Sequence, residues 1–280
     1  GAVLNIVLDP VFIFALHMGV AGAAVATVLS QMASCAFVLT FLFGKKVPVR
    51  ISFGGYDRKL IQRILLVGFT PFIIIAVDNV MIISMNSVLQ TYGGPGEGDM
   101  LITCATIVQS FMLVITMPLG GITGGTQTIL AFNYGAGQPD RVKKAQRFIF
   151  LLSAGYTTLL FILAQTAGHI FVRLFTSDPA LIAEAAKTVK IYTLAVIPLS
   201  IQYVIVDGFT GLGKVQLSLP LSFFRKLVYF LPLFLLPRFF GARATFYAEP
   251  ISDIIAPVVS IFVYAVAMKR ILKKPVIPNF

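Results

Sequence analysis

Apolar residues run along this chain in long blocks separated by short polar stretches. Eight blocks can be drawn, at about 1–16, 19–43, 62–91, 101–131, 148–172, 186–212, 216–237 and 244–268. A helix rises about 1.5 Å per residue, so about 20 apolar residues cross a 30 Å hydrocarbon core. All the blocks but the first reach that length, and the central ones are long enough to tilt or protrude. The first is too short to span, which predicts the end of a helix that starts upstream. The second stops at Gly44-Lys45-Lys46, a terminating glycine followed by cations. The pattern predicts an all-α integral membrane protein, a polytopic bundle of transmembrane helices.

Composition sharpens this. Of 280 residues, 58% are hydrophobic and 12% charged, against roughly 25% charged in soluble domains, and the mean hydropathy is +0.91. The net charge of +11 would suggest nucleic acid on a soluble protein. In a membrane protein it reads as cations gathered in cytoplasmic loops, so no nucleic-acid partner is expected. Cys35 and Cys104 both lie in apolar blocks and form no CxxC pair, which predicts neither a metal site nor a disulfide framework.

The connections alternate in charge. Lys45, Lys46, Arg50, Arg58, Lys59 and Arg63 fall between the second and third blocks; the next connection holds Glu97 and Asp99; the one after holds Arg141, Lys143, Lys144 and Arg147. Arg173, Lys187 and Lys190 follow, then Lys214, Arg225 and Lys226, then Arg238 and Arg243, then Lys269, Arg270, Lys273 and Lys274. Alternate sides carry seventeen cations against five. The positive-inside rule therefore puts the 44–62 and 133–147 connections and the C-terminus in the cytoplasm. A faint repeat accompanies this. Residues 10–31 align without gaps on 232–253, with identities at Pro10/Pro232, Phe12/Phe234, Gly19/Gly241, Ala26/Ala248 and Ser30/Ser252. A unit of about 220 residues would make the chain one whole unit plus the tail of another, in line with the duplicated halves of secondary transporters.

Several stretches resemble the multidrug and toxic compound extrusion (MATE) family. Leu8-Asp9-Pro10-Val11-Phe12-Ile13-Phe14 and Gly19 to Thr27 are similar to its fifth-to-sixth helix junction. Pro118-Leu119-Gly120-Gly121, Gly125-Thr126-Gln127, Phe132 to Gly137 and Arg141 to Ala145 resemble its eighth helix and following loop. Gly211-Leu212-Gly213-Lys214 and Tyr247 to Asp253 resemble helices ten to twelve. The resemblance implies a two-lobe architecture of twelve helices, of which five to twelve are here and most of the N-lobe is missing. It assigns 1–43 to the tail of the N-terminal lobe, 44–61 to a cytoplasmic inter-lobe loop, 62–272 to a six-helix C-terminal lobe and 273–280 to a cytoplasmic tail. It also implies export of organic, often cationic compounds against inward Na⁺ or H⁺, with no other cofactor.

Several residues invite chemistry. Asp78 sits mid-block, where a bare carboxylate costs about 2.5–3.5 kcal/mol on insertion scales. On a helix, Pro71, Ile74, Met81 and Met85 share its face. An acid among adaptable methionines suits varied cationic substrates, and the carboxylate could exchange a proton or ligate Na⁺; the alternative is a structural acid bonded to a neighbouring helix. The resemblance adds that several MATE branches carry a functional acid, commonly Glu, in the seventh helix. Ser200, Tyr203, Asp207 and Thr210 form a polar stripe in which Tyr203 could donate to Asp207, although that acid lies near the cytoplasmic end, where the interface would solvate it. Glu249 and Asp253, one turn apart, repel each other and could form a proton site, or anchor a helix end near Arg243. Gly120, Gly121, Gly124 and Gly125 have the spacing of close helix packing. The segment 208–215 nearly fits a phosphate loop, but Val215 stands where Ser or Thr is required.

The expected protein is a secondary antiporter working by alternating access, not an enzyme. It is expected to be multi-pass in the bacterial plasma membrane and monomeric at full length, with the bilayer and small organic cations as partners. Two rivals remain. A lipid-linked sugar flippase of the same superfamily would line its cavity with cations, whereas the mid-membrane charges here read as acids. An intramembrane enzyme would need a ligand or catalytic cluster that the sequence lacks.

Overall fold

The computed structural model describes residues 1–44, 54 and 57–272, with backbone alone at 60, 63, 64, 66–71 and 74. The inter-lobe loop, apart from Gly44, Gly54 and residues 57–61, lies outside the described residues, as do the 273–280 tail and the side chains of Pro71 and Ile74. Among the described residues all regular structure is helical. The chain divides into two compact units, Gly1–Leu65 and Leu66–Phe280.

The first unit is a helical pair. α1 (Ala2–Pro10) widens into a π-helix over Val11–Ala15. The chain then reverses through His17 and Gly19, both at positive φ, and enters α2 (Gly19–Leu42). The π segment sits beside Pro10, whose missing N–H and bulky ring disturb the ladder. The buried positions of α2 are Gly22, Ala26 and Ser30, four residues apart. That small-residue stripe lets the backbones close in: a Cβ on Gly22 would stand 2.7 Å from the Phe12 carbonyl oxygen. Large side chains such as Val20, Phe37 and Phe41 face outward, as lipid-facing positions do.

α3 (Arg58–Gly135), which lies in the second unit from Leu66 onward, is two arms joined at Gly94-Pro95-Gly96, where the backbone leaves helical geometry. Gly94 and Gly96 hold φ of 66° and 89°, which an L side chain rarely adopts. The arms meet closely, since a Cβ on Gly93 would lie 2.8 Å from the Gly98 Cα. α4 (Pro139–Val172), α5 (Pro179–Tyr192), α6 (Val196–Gly211), α7 (Val215–Phe240) and α8 (Ala248–Ile271) follow, with a 3₁₀ turn over Ala242–Tyr247. Among the described residues, with α3 counted once, five helices are long and apolar enough to cross a membrane, six if α5 and α6, bent by 48°, form one span.

That bend falls at Thr193–Ala195, inside the predicted 186–212 block and just ahead of Pro198, whose missing N–H and ring break the helical ladder at the Leu194 carbonyl. The side-chain amide of Gln165 on α4 supports it, donating to the Lys190 carbonyl at 3.0 Å and to Thr193 Oγ at 3.3 Å. Buried backbone groups need such partners where a helix breaks within a membrane. α6 packs on its neighbours through small residues, a Cβ on Gly211 falling 3.0 Å from the Gln127 Cα. The glycines at 120, 121, 124 and 125 do not share this role. A Cβ on any of them would meet nothing within 4 Å, so their spacing marks an open helix face here.

The repeat positions adopt matching local structure. Gly19 and Gly241 both take positive φ, each just before or at the start of the following helix. Ala26 and Ala248 are fully buried, and Ser30 and Ser252 nearly so. Pro10 and Pro232 both lie inside helices.

Two apolar clusters fill the second unit. One gathers Met85, Leu89, Leu101, Ile115, Leu199, Tyr229, Leu233 and Phe246; the other Leu130, Val142, Ile149, Val204, Phe209, Leu221 and Met268. Along α7 the first begins at Tyr229 and the second ends at Leu221. A polar layer lies between.

Candidate ion-coupling site

The polar layer is built on α7. Its buried positions are Ser218, Leu221, Lys226, Tyr229, Pro232, Leu233 and Pro237, and all but Pro232 recur every three to five residues, so one helix face turns inward and Lys226 is on it. Successive side chains diverge by about 100°, and Arg225 and Lys226 therefore serve different neighbours. Lys226 pairs with Asp78 on the first arm of α3. Arg225 reaches α8, with Nη1 donating to Glu249 Oε1 at 3.1 Å and to Asp253 Oδ1 at 2.8 Å.

Glu249 and Asp253 share a face because they are four residues apart. Glu249 occupies the first turn of α8, where the helix dipole favours an acid. Pro250 beside it is tolerated because first-turn amides have no intrahelical partner. Tyr192, the last residue of α5 before the bend, donates its hydroxyl to Glu249 Oε2 at 3.4 Å. Asp253 is wholly buried, and its Oδ2 has no hydrogen-bond partner among the described residues. Among the described residues the cluster thus contains three carboxylates and two cations, one negative charge in excess. Below it Gln202 accepts from Ser260 at 2.5 Å and donates to the Leu221 carbonyl at 3.2 Å.

Each residue singled out in the sequence can now be placed. Asp78 is not a bare carboxylate: it is half-exposed and ion-paired. Met81 and Met85 of its helix are buried in the apolar cluster. Asp207 lies one turn from the end of α6, and the hydroxyl that reaches it, at 2.5 Å, is that of Thr123 on α3, not Tyr203. Glu249 and Asp253 do not anchor to Arg243, which pairs instead with Glu184 at 3.0 Å and Glu97 at 3.3 Å. The structure brings Asp78, Glu249 and Asp253 into one network and leaves Asp207 outside it.

Sequence reasoning missed the two residues that organise the site. Arg225 and Lys226 read there as connection cations, yet they stand ten residues inside α7. Counting their depth in the 216–237 block would have found them, and it reduces the cation split to fifteen against five. A smaller polar group in the first unit was also passed over: the Asn5 amide donates to Asp9 Oδ1 at 3.1 Å and to Thr27 Oγ at 3.5 Å.

A bundle of long apolar helices around an unbalanced charge network has the outline of a membrane protein, and comparison with known proteins gives the family. The MatE family model matches residues 74–235, more than half of the sequence, and the chain belongs to that family, the multidrug and toxic compound extrusion transporters. It is 22% identical to the multidrug export protein MepA of Staphylococcus haemolyticus, over 93% of this chain and 57% of the relative. It is 23% identical to the MepA of a bovine Staphylococcus aureus strain, over 89% and 54%. The chain thus spans about half the length of the curated relatives it matches. Among solved structures it is similar to a multidrug resistance MATE transporter in an outward-facing conformation, with a TM-score of 0.83 at 22% identity, covering 97% of this chain and 61% of the other. An inward-facing conformation matches with a TM-score of 0.77 at 22% identity, covering 97% and 63%. A Pyrococcus furiosus transporter of the same superfamily, described as having reversed binding-pocket polarity, matches with a TM-score of 0.83 at 22% identity, covering 97% and 61%.

Proposed function

We propose that the full-length protein exports organic, chiefly cationic compounds across the bacterial plasma membrane by alternating access, exchanging them for H⁺ or Na⁺. The carrying observation is the net charge of the network, in which Glu249 and Asp253 are buried and Asp78 is half-exposed. Three carboxylates held by two cations leave one negative charge inside a low-dielectric bundle, and such a charge is costly without a counter-ion. One monovalent cation at a time neutralises it. A coupling ion from outside and a cationic substrate from inside then compete for the same deficit, which is the requirement for exchange.

The flippase reading weakens for a related reason. Arg225 and Lys226 do lie at mid-span, so cations are not confined to connections. Each is nevertheless engaged by a carboxylate, and the network as a whole is negative, a poor host for a diphosphate. The test is transport of tetraphenylphosphonium by the full-length protein in liposomes under imposed H⁺ or Na⁺ gradients. Concentrative movement under one gradient is expected; movement under neither overturns the reading.

A further inference from the structure

We propose that Asp253 Oδ2 is the atom that takes up the coupling cation, a proton or Na⁺, and that Arg225 is the built-in counter-cation of the same carboxylate. This rests on the exchange reading above and names the residue that performs it.

The three carboxylates of the network are not equivalent. Asp78 is half-exposed and paired with Lys226. Glu249 has Arg225 on one oxygen and the Tyr192 hydroxyl on the other. Asp253 has Arg225 on Oδ1 alone, and its second oxygen is buried without a donor. A buried acceptor with no partner bears its full desolvation cost, and here it belongs to an ionised group in a network that already lacks one positive charge. Both deficits have the same remedy, a single cation at Oδ2.

The groups facing Asp253 are Arg225 from α7, Glu249 from α8, Tyr192 from α5 and Tyr203 from α6; Tyr229 of α7 faces Glu249 and Arg225 beside it, and Asp78 of α3 pairs with the neighbouring Lys226. Among the described residues Arg225 is the one cation in direct contact with the carboxylate. When a proton binds, an O–H bond forms at Oδ2, the proton coming from water and returning to water, with no other covalent change. The Arg225–Asp253 bond then loses its charge assistance, while the bond to Glu249 keeps its own. Arg225 leans toward Glu249, whose other oxygen holds Tyr192 at the end of α5, next to the bend. Cation uptake thereby biases the contact between α7, α8 and the bent span, a local charge change read by a movable element.

The test uses purified full-length protein and needs no transport. Infrared difference spectra between acid and alkaline pH report the carbonyl band of a protonated carboxyl group. For a proton site, the wild-type band should shift with ¹³C-aspartate labelling and not with ¹³C-glutamate. In Asp253→Glu the dependence should reverse. For a Na⁺ site, Na⁺ but not K⁺ should raise the wild-type melting temperature, and Asp253→Asn should abolish the rise. A wild-type band that follows labelled glutamate, one that still follows labelled aspartate in Asp253→Glu, a Na⁺ effect that survives Asp253→Asn, or neither signal in wild type overturns the proposal. A protein with the Asp253 signal and no export would overturn the exchange reading alone; an exporter without the signal would overturn the site alone.

Discussion

At the scale of single residues, Arg225 is the one whose removal the structure penalises most. Its guanidinium separates two carboxylates one turn apart, and a guanidinium fork suits two acceptors better than a lysine ammonium. Breaking a buried pair by deleting one partner costs about 3–5 kcal/mol. Arg225→Met should therefore lower the melting temperature sharply, and adding Glu249→Gln and Asp253→Asn should restore most of the loss; a singly substituted protein as stable as wild type would contradict the role of Arg225. Asp78→Asn acts differently, because it removes the excess negative charge. The network then no longer demands a cation, and gradient-driven efflux, normalised to folded protein, should fall at least tenfold, while Asp78→Glu, which keeps the charge, should retain part of it. These residues were unequally legible in the sequence. Asp78, Glu249 and Asp253 stood out as acids in apolar blocks. Their partners did not, because Arg225 and Lys226 are 24 to 148 residues away along the chain and pairing at that distance has no local signature.

Among the helices, apolar block length was a good guide to which elements exist and a poor one to how they are broken or packed. A break between the 62–91 and 101–131 blocks was expected from the apolar pattern, and the structure puts the turn at 94–96. The bend at Thr193–Ala195 was not expected, although Pro198, four residues beyond Leu194, is a local signal for it; its further support, Gln165, lies on another helix. Packing glycines were misjudged for the same reason: spacing identifies a glycine pair but not what faces it. The structure replaces the 120–125 set with Gly211, whose neighbour is the backbone of Gln127. Overpacking a tight contact costs about 1–3 kcal/mol, so Gly211→Leu should lower the melting temperature. Gly121→Ala meets open space and removes a helix-interior glycine, a change worth about 0.4–1 kcal/mol in favour of folding. Equal effects from the two substitutions would mean that α6 does not approach α3 as described.

For the whole molecule, alternation of the helices puts the 94–96 turn, the 173–178 connection and Gly241 at one end of the second unit. The 136–138 and 212–214 connections lie at the other, with the end of α8. The cation count, even without Arg225 and Lys226, assigns the latter end to the cytoplasm. With Cys35 replaced by serine, Asp140→Cys should be labelled by an impermeant maleimide only from inside and Ser177→Cys only from outside. Labelling of both from one side would reverse the assignment and remove the basis for an inward coupling ion. Fold class and the order of the apolar helices were thus within reach of hydropathy, because lipid imposes length on any sequence that spans it. The charge network was not, because it depends on which helices become neighbours.

Two adjacent cations inside α7 also bear on how the protein is made. A lone arginine or lysine at the centre of a span costs about 2.5–3.5 kcal/mol to insert, so α7 emerging from the ribosome by itself faces about 5–7 kcal/mol. Asp78 is already in the membrane when α7 arrives; Glu249 and Asp253 are still to be synthesised. α7 should therefore hesitate at the translocon until α8 follows, and the two should enter as a pair. A nascent chain ended before Ala242, carrying glycosylation acceptors on either side of α7, should leave α7 unspanned in microsomes. The longer chain, or the short one with Arg225→Leu and Lys226→Leu, should span; a short wild-type chain that spans as well would mean that α7 inserts without its partners.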